Sequence, residues 1–488
     1  MDQSTLKRLL PHLIAYFLMM AISFIFFSPY VFEGKVLTQG DNVRARGMQG
    51  EIRKVRTETG EVPLWTNSMF GGMPAYQIQM VNKKNLIRFP YSLLFLKQSV
   101  TNPHTVVLVA MFCCYLLLIT LGVDWRLSII GAVGFGLSNY QIDLAEAGHS
   151  TKMAAVALVP GVFAGALLAY RGKYLVGGAI FGLFMGMEIF ANHLQITFYA
   201  SWMLVILGIV QLIFAIRKGT LNNFIKASAI LVATGLLGIA ANADRLWVTQ
   251  EHAKETIRGT SELSSKGGKD GLEKSYIFAW SYGIMESMTL LVPNFNGGGA
   301  AQHFRGTEIH DKTFRRFLSQ YSQSIPRDLA VKAAERRIAG SMYWGNQPGV
   351  GVAIYFGAII VFLFFLGAFL VPGEIKIWLV VSAIFTLILA WGGNFFLNGF
   401  LVDYVPMFNK FRAVSMVLGL THLAVVLLAI LGLQGFVSKK YTTEKKQKAL
   451  IAAVGITGGL CLLAIVGGAM MDFSNPAKDG DCQQIFYP

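Results

Sequence analysis

A carboxylate stands at Asp41, in Gly40-Asp41-Asn42, a few positions after the first long apolar run. It opens a loop that passes through Pro63-Leu64-Trp65 to Phe70-Gly71-Gly72-Met73-Pro74. An acidic group at a membrane surface, ahead of a turn-rich segment, suits a general base that acts on a lipid-borne substrate. Other groups able to do chemistry recur at the ends of later apolar runs. Glu146 and His149 lie in Glu146-Ala147-Gly148-His149, Asn192 and His193 follow the fifth run, and Asp244 and Arg245 follow the seventh. The spacing of three places Glu146 and His149 on one side of a helix, provided that the helix continues through both. Ionisable groups near lipid are costly unless they face a cavity or a partner, so their repetition at one end of successive runs predicts a shared cavity there. Taken singly, each is equally compatible with a solvated or capping residue at a helix end.

The elements that must position these groups follow from composition. Hydrophobic residues make up 54% of the 488 positions and charged residues 14%, and the mean hydropathy is +0.51. That much apolar surface must face lipid as well as a core. The fold class expected is therefore an all-α polytopic membrane protein. Apolar runs long enough to cross about 30 Å of hydrocarbon fall near 10–32, 104–123, 127–144, 153–170, 174–192, 194–216, 224–243, 350–371, 376–392, 412–436 and 449–471, about eleven spans. Gly131, Gly134, Gly136 and Pro160 inside such runs are the small and kinking residues that membrane helices tolerate.

Lys7, Arg8, Arg126, Arg171, Lys173, Arg217, Lys218, Lys226, Lys376 and the cluster from Lys439 to Lys448 fall on alternate sides of successive spans, whereas Asn192-His193-Leu194-Gln195 on the other side carries no Lys or Arg. The positive-inside rule makes the basic loops cytoplasmic. The N-terminus is then inside, the C-terminus outside, and two long segments, 33–103 and 244–349, are external. The first run lacks a small-residue cleavage site and reads as an uncleaved anchor. The chain divides into a transmembrane module over 1–243 that includes the first external loop, an external mainly helical subdomain over 244–349, and a second transmembrane module over 350–488.

The net charge of +15 does not call for nucleic acid, because orientation alone explains the basic loops. The remaining excess is external, at Arg44, Arg46, Arg53, Lys54, Arg56, Lys83, Lys84 and Arg88, and at Arg305, Arg315, Arg316, Arg336 and Arg337. A basic surface beside a bilayer attracts anionic headgroups and phosphates. Cys113, Cys114, Cys461 and Cys482 show neither a disulfide framework nor a metal spacing. The phosphate-binding loop, the dinucleotide fingerprint and the His-Glu-x-x-His zinc motif are all missing from the sequence.

Within the external segments, Met48, Ile52 and Val55 recur at helical spacing with arginines on the other faces, which predicts one interfacial helix over 41–58. Residues 86–100 are too short to span and predict a second interfacial or re-entrant helix. The pattern over 327–339 predicts a helix in a small subdomain covering the site.

Gly40-Asp41, Pro63-Leu64-Trp65, Phe70-Gly71-Gly72-Met73-Pro74, Ala147-Gly148-His149, Leu290-Leu291-Val292-Pro293-Asn294 with Gly297-Gly298, Tyr343-Trp344-Gly345-Asn346-Gln347-Pro348 and Pro406-Met407-Phe408-Asn409-Lys410-Phe411-Arg412, in this order, resemble YfhO-like bacterial membrane proteins, in their Bacteroidetes-type form. The motifs run from the first loop to the tenth span. The resemblance implies kinship with the GT-C glycosyltransferases, multispanning enzymes that take a sugar from a polyprenyl-phosphate carrier to a glycan, lipid or protein acceptor outside the bacterial cytoplasmic membrane. It implies that Asp41, matching an acidic residue of the first external loop, is the catalytic base. Members of that family continue past the point where this sequence ends, with a further external region and at least one more span, so the resemblance implies a chain short of that region.

Such chemistry needs a base for the acceptor hydroxyl and cations for the departing phosphate. Lys410 and Arg412, at the mouth of the tenth span, are the favoured cations, followed by Arg245 and Arg258. They are equally suited to anchoring helix ends at the interface. Glu146, His149 and His193 are expected to contact substrate, Glu286 to bond sugar hydroxyls, and Trp344 with Tyr343 to stack on a sugar ring. Asp41 suits a base with or without a divalent metal, and no other cofactor is called for. Two other classes remain open on the sequence: a transporter or flippase of a lipid-linked saccharide, for which Glu188 is the main intramembrane candidate, and a non-catalytic scaffold for envelope assembly.

Overall fold

A computed structural model of the protein describes residues 3–79, 84–260, 270–299, 308–340, 343–348, 351 and 353–470. Lys83, Arg305 and the segment 481–488, which includes Cys482, lie outside them. Among the described residues the chain is mostly helical, with strand confined to one short hairpin.

In chain order the elements used below are α1 (Gln3–Phe26), α2 (Gly40–Met48), α3 (Gly50–Thr59), α4 (Pro103–Thr120), α5 (Trp125–Gly136), α6 (Asn139–Ala147), α7 (Ser150–Tyr170), α8 (Tyr174–Phe190), α9 (Leu194–Lys218), α10 (Leu221–Ala240), α11 (Ala358–Leu370), α12 (Glu374–Ala390), α13 (Leu418–Val437) and α14 (Thr443–Ala469). Seven stretches among the described residues are long and apolar enough to cross a membrane: most of α1, then α4, α7, α9, α10, α13 with its leading turn, and α14. Backbone groups in lipid must be satisfied internally, which is why these runs are helical. The chain is a multi-pass membrane protein.

Burial sorts the seven. The most apolar windows of α4, α7 and α13 are 83–89% buried, whereas those of α1, α9, α10 and α14 are only 17–33% buried. Both sets are apolar all round, so the first forms the interior of the bundle and the second turns side chains such as Leu236, Leu237, Leu462 and Ile465 outward to lipid. Helix α7 packs on α4 and α8, and α13 on α11, α12 and α5. The contact between α7 and α8 depends on glycine. A Cβ on Gly165 would collide with the Phe181 nitrogen, and one on Gly177 with the Ala169 nitrogen, so the two backbones approach only because neither residue has a side chain.

Two expectations are corrected. The run 127–144 is not one continuous helix: α5 stops at Gly136, and the Ser138 hydroxyl accepts the Gln141 amide at 3.3 Å to cap α6. Nor do residues 41–58 form a single helix, because the chain breaks at Gln49 between α2 and α3. The expected apolar side survives in α3, where Ile52 is buried. Residues Arg88–Leu94 form a short helix inside 86–100, and Glu308–Tyr321 packs against Arg327–Gly340 within 308–340.

Hydrogen bonds show which ends of the helices meet. Tyr30 donates to Asn102 at 2.6 Å, Asn42 to Ser150 at 3.1 Å, Asn85 to the Ala241 carbonyl at 2.8 Å, and Gln195 to the Arg412 carbonyl at 2.6 Å. Asp41, His149, His193 and Arg412 are therefore gathered at one end. At the other end Gln434 accepts the Asp124 amide at 2.6 Å, and Lys218 pairs with Glu374 at 2.8 Å.

Candidate active site at the loop end of the bundle

The loop that carries Asp41 is clamped to the bundle by its neighbours. Gln39 donates to the Ala145 carbonyl at 2.5 Å, and the Asn42 amide donates to Gln39 at 2.7 Å and to Ser150 at 3.1 Å. The clamp requires Gly148. This residue ends α6 in the left-handed region at φ 83°, where its amide bonds the Leu144 carbonyl. A Cβ there would stand 2.9 Å from the Gln39 Cβ and 3.1 Å from the Asn42 nitrogen. The motif Ala147-Gly148-His149 thus ends a helix, admits the first loop, and turns His149 toward it. The same turn separates Glu146 from His149. The two do not share a helix face, and Glu146 is exposed.

The turn-rich remainder of the loop is a hairpin in which Trp65 pairs with Pro74 and Thr66 with Met73. Gly72 lies under the Trp65 indole. The hairpin hangs from Glu51 of α3, which accepts from the Thr66 hydroxyl and, at 3.0 Å each, from the Asn67 and Ser68 amides. These bonds, Thr66 foremost, hold the Glu51 carboxyl below the usual range.

His149 Nε2 lies 2.9 Å from Asp41 Oδ2, and Lys152 Nζ lies 3.1 Å from His149 Nδ1. Burial and the Lys152 ammonium lower the His149 pKa, against the opposing pull of Asp41. The ring is accordingly neutral at pH 7. Its protonation pattern follows from its partners: Lys152, having only donors, bonds Nδ1, which leaves Nε2–H to donate to the Asp41 carboxylate. Arg44 stands 3.7 Å from the other Asp41 oxygen, exposed to solvent, where such a pair contributes little.

His149 and Lys152 open onto a cavity of about 370 Å³ whose wall also includes Tyr140, Asp143, His193, Trp280, Gln347 and Arg412. Among the described residues His193 Nε2 has no hydrogen-bond partner. Burial, followed by the charge of Lys152 and the His149 ring, pushes the His193 pKa down to about 3. The Arg412 guanidinium lies over the Tyr276 and Trp280 rings at 4.9 and 5.5 Å and donates to the Tyr276 hydroxyl at 2.6 Å. Two wall segments contain non-glycine residues in the left-handed region, Asn192 at φ 62° beside His193 and Ala413 at φ 58° beside Arg412. The left-handed conformation costs about 1–2 kcal/mol for a residue such as Ala413, whereas Asn adopts it more readily, and non-glycine residues held there cluster at functional sites.

The structure puts His149, His193 and Arg412 in the wall of this cavity and Asp41 beside His149. The other residues singled out in the sequence stand elsewhere. Lys410 pairs with Asp270 and donates to the Arg258 carbonyl at 2.7 Å, while Arg258 donates to the Lys410 carbonyl at 3.0 Å. This reciprocal latch fixes the segment that presents Arg412. Arg245 donates to the Phe190 carbonyl at 2.8 Å and lies over the Phe190 ring, at the end of α8. Glu286 is buried, where it accepts from the Tyr343 hydroxyl at 2.8 Å, from Gln347 at 3.2 Å and from the Gly283 amide at 3.0 Å. It orients Gln347, which does line the cavity. Trp344 is not part of the wall, and the indole found there is Trp280.

Lys152, Asp143, Tyr140 and Trp280 are among the wall residues that the sequence reading passed over. Lys152 is 8% exposed and sits in the first turn of the otherwise apolar α7. A buried cation at the head of a spanning helix is a functional signal by its cost alone. Among the described residues no group of three His, Cys, Asp or Glu side chains is placed to hold a metal ion. Compared with known proteins, the chain matches no family model, no curated protein and no solved structure.

Proposed function

We propose that this protein is a membrane glycosyltransferase of GT-C type that moves a sugar from a polyprenyl-phosphate donor to an envelope glycan, lipid or protein. The observation that carries the reading is the Asp41 carboxylate, 2.9 Å from His149, which itself lines a cavity together with Lys152 and Arg412. Asp41 takes the proton of an acceptor hydroxyl as that oxygen attacks the anomeric carbon. The bond from that carbon to the phosphate oxygen breaks, and the lipid phosphate leaves with the electron pair. One displacement inverts the anomeric centre. Arg412 stabilises the leaving phosphate through its planar fork, Lys152 adds a point charge behind it, and Trp280 offers a face to the sugar ring.

In this reading the basic loops are cytoplasmic, by the positive-inside rule, and the cavity opens at the outer face of the cytoplasmic membrane. In the same reading the eleven spans would be the seven long apolar stretches, the shorter helices α8, α11 and α12, and the broken pair α5 with α6. The transporter alternative rests on Glu188, the main intramembrane acid, which accepts from the Thr197 hydroxyl at 2.7 Å through one oxygen while its other oxygen has no partner among the described residues. Mass spectrometry of lipid extracted from the purified protein tests the donor class. A co-purifying polyprenyl-phosphate sugar supports the proposal, and a polyprenyl diphosphate oligosaccharide in its place favours a flippase.

A further inference from the structure

A second cavity, about 650 Å³, lies at the opposite end of the bundle, between the turn joining α4 to α5, the turn joining α11 to α12, and the end of α13. One wall is apolar: Leu121, Leu127, Val371, Ile375, Leu431 and Val437. Its polar floor is already occupied. Gln434 accepts the Asp124 amide at 2.6 Å and donates to the Gly122 carbonyl at 3.1 Å, while the Asp124 carboxylate caps α5 through the Arg126 amide at 2.9 Å. The rim is cationic. Arg126 and Lys440 are exposed, and neither forms an ion pair among the described residues. Each lies over an aromatic face, Arg126 at 5.1 Å from Trp125 and Lys440 at 5.6 Å from Tyr441, with Lys445 on the same tyrosine at 4.4 Å.

Apolar walls between spanning helices, closed at one end by unpaired cations on aromatic rings, match an amphiphile with one anionic end. Basic pockets between spanning helices bind acidic headgroups in this way, and aromatic rings belong at headgroup depth. We propose that this groove holds an anionic phospholipid, with its phosphate between Arg126 and Lys440 and an acyl chain along the wall formed by Leu121, Leu127 and Leu431. The lipid bridges α5, α12 and α13 at the end of the bundle remote from Asp41. The proposal is independent of the sugar-transfer reading.

The test uses the full chain, purified in mild detergent and stripped of lipid, with melting temperature measured against added phosphatidylglycerol, phosphatidylcholine or inorganic phosphate. Phosphatidylglycerol raises the melting temperature in a saturable way, and the other two do not. In Arg126→Gln/Lys440→Gln the apparent affinity for phosphatidylglycerol falls about thirtyfold, and the lipid-free melting temperature is unchanged because both side chains are exposed. Leu431→Trp fills the apolar wall without altering charge and also weakens binding. An equal response to phosphatidylcholine, a response reproduced by inorganic phosphate, or undiminished binding by either variant overturns the proposal.

Discussion

His149 and Asp41 are joined by a 2.9 Å contact between Nε2 and Oδ2 across more than a hundred residues of sequence, and Lys152 holds the other face of the same ring at 3.1 Å. A neutral imidazole, fixed in one tautomer by a lysine, therefore orients the carboxylate without neutralising it.

In the proposed reaction His149 acts through Asp41 as a positioning residue. Removing a hydrogen bond to a charged group costs about 1.5–3 kcal/mol, or about ten- to a hundredfold in rate. His149→Ala is expected to lower kcat for sugar transfer by that factor with the donor KM changed less than about twofold. His149→Gln, which can still present an N–H to Asp41, recovers part of the loss. A KM rise that accounts for the whole effect would place His149 in donor binding instead.

Gly148 is expected to be irreplaceable for two separate reasons, its left-handed backbone and its contact with the first loop. Gly148→Ala should cost at least about 1–2 kcal/mol of stability and also reduce transfer, because Gln39 and Asn42 must withdraw and carry Asp41 with them. Gly219 supplies the comparison. It is left-handed at φ 67°, ends α9 at the opposite end of the bundle, and a Cβ added there would meet nothing within 4 Å. Gly219→Ala should lower the melting temperature and leave kcat unchanged.

The half-buried ring of His193 makes stability depend on pH. Its folded pKa is depressed to about 3, below the ordinary value of about 6.5. Between those values the unfolded chain binds the proton and the folded chain does not, so this group's contribution is complete above about pH 6.5 and declines as the pH falls toward 3. Melting temperatures should therefore drop more steeply between pH 6.5 and 4 for the native protein than for His193→Gln. Parallel curves would show that His193 is solvated.

Much of the architecture is legible in the sequence because hydropathy and helix length are tied to the bilayer. The runs read at 104–123 and 194–216 correspond to α4 and α9 within a few residues. The break after Gly136 is not legible that way, since average hydropathy does not register one serine that caps a new helix. Asp41 and His149 can be picked out because both follow apolar runs in short polar motifs. Lys152 escapes because the apolar run begins at Met153, which leaves the lysine looking like an interfacial anchor, although α7 starts at Ser150 and buries it. For Lys410 and Arg412, two cations in one motif, the sequence offers no distinction. Asp270 and the Arg258 carbonyl engage the first, while the Tyr276 and Trp280 rings orient the second toward the cavity.

The most direct test compares the native protein with Asp41→Asn, each reconstituted in vesicles with a polyprenyl-phosphate sugar labelled in the sugar and with an envelope extract as acceptor. Loss of a general base costs about a hundredfold to ten-thousandfold. The account predicts that label moves from carrier to acceptor with the native protein, and that Asp41→Asn binds the donor equally well yet transfers slower by that factor. Equal rates from the two proteins would contradict it.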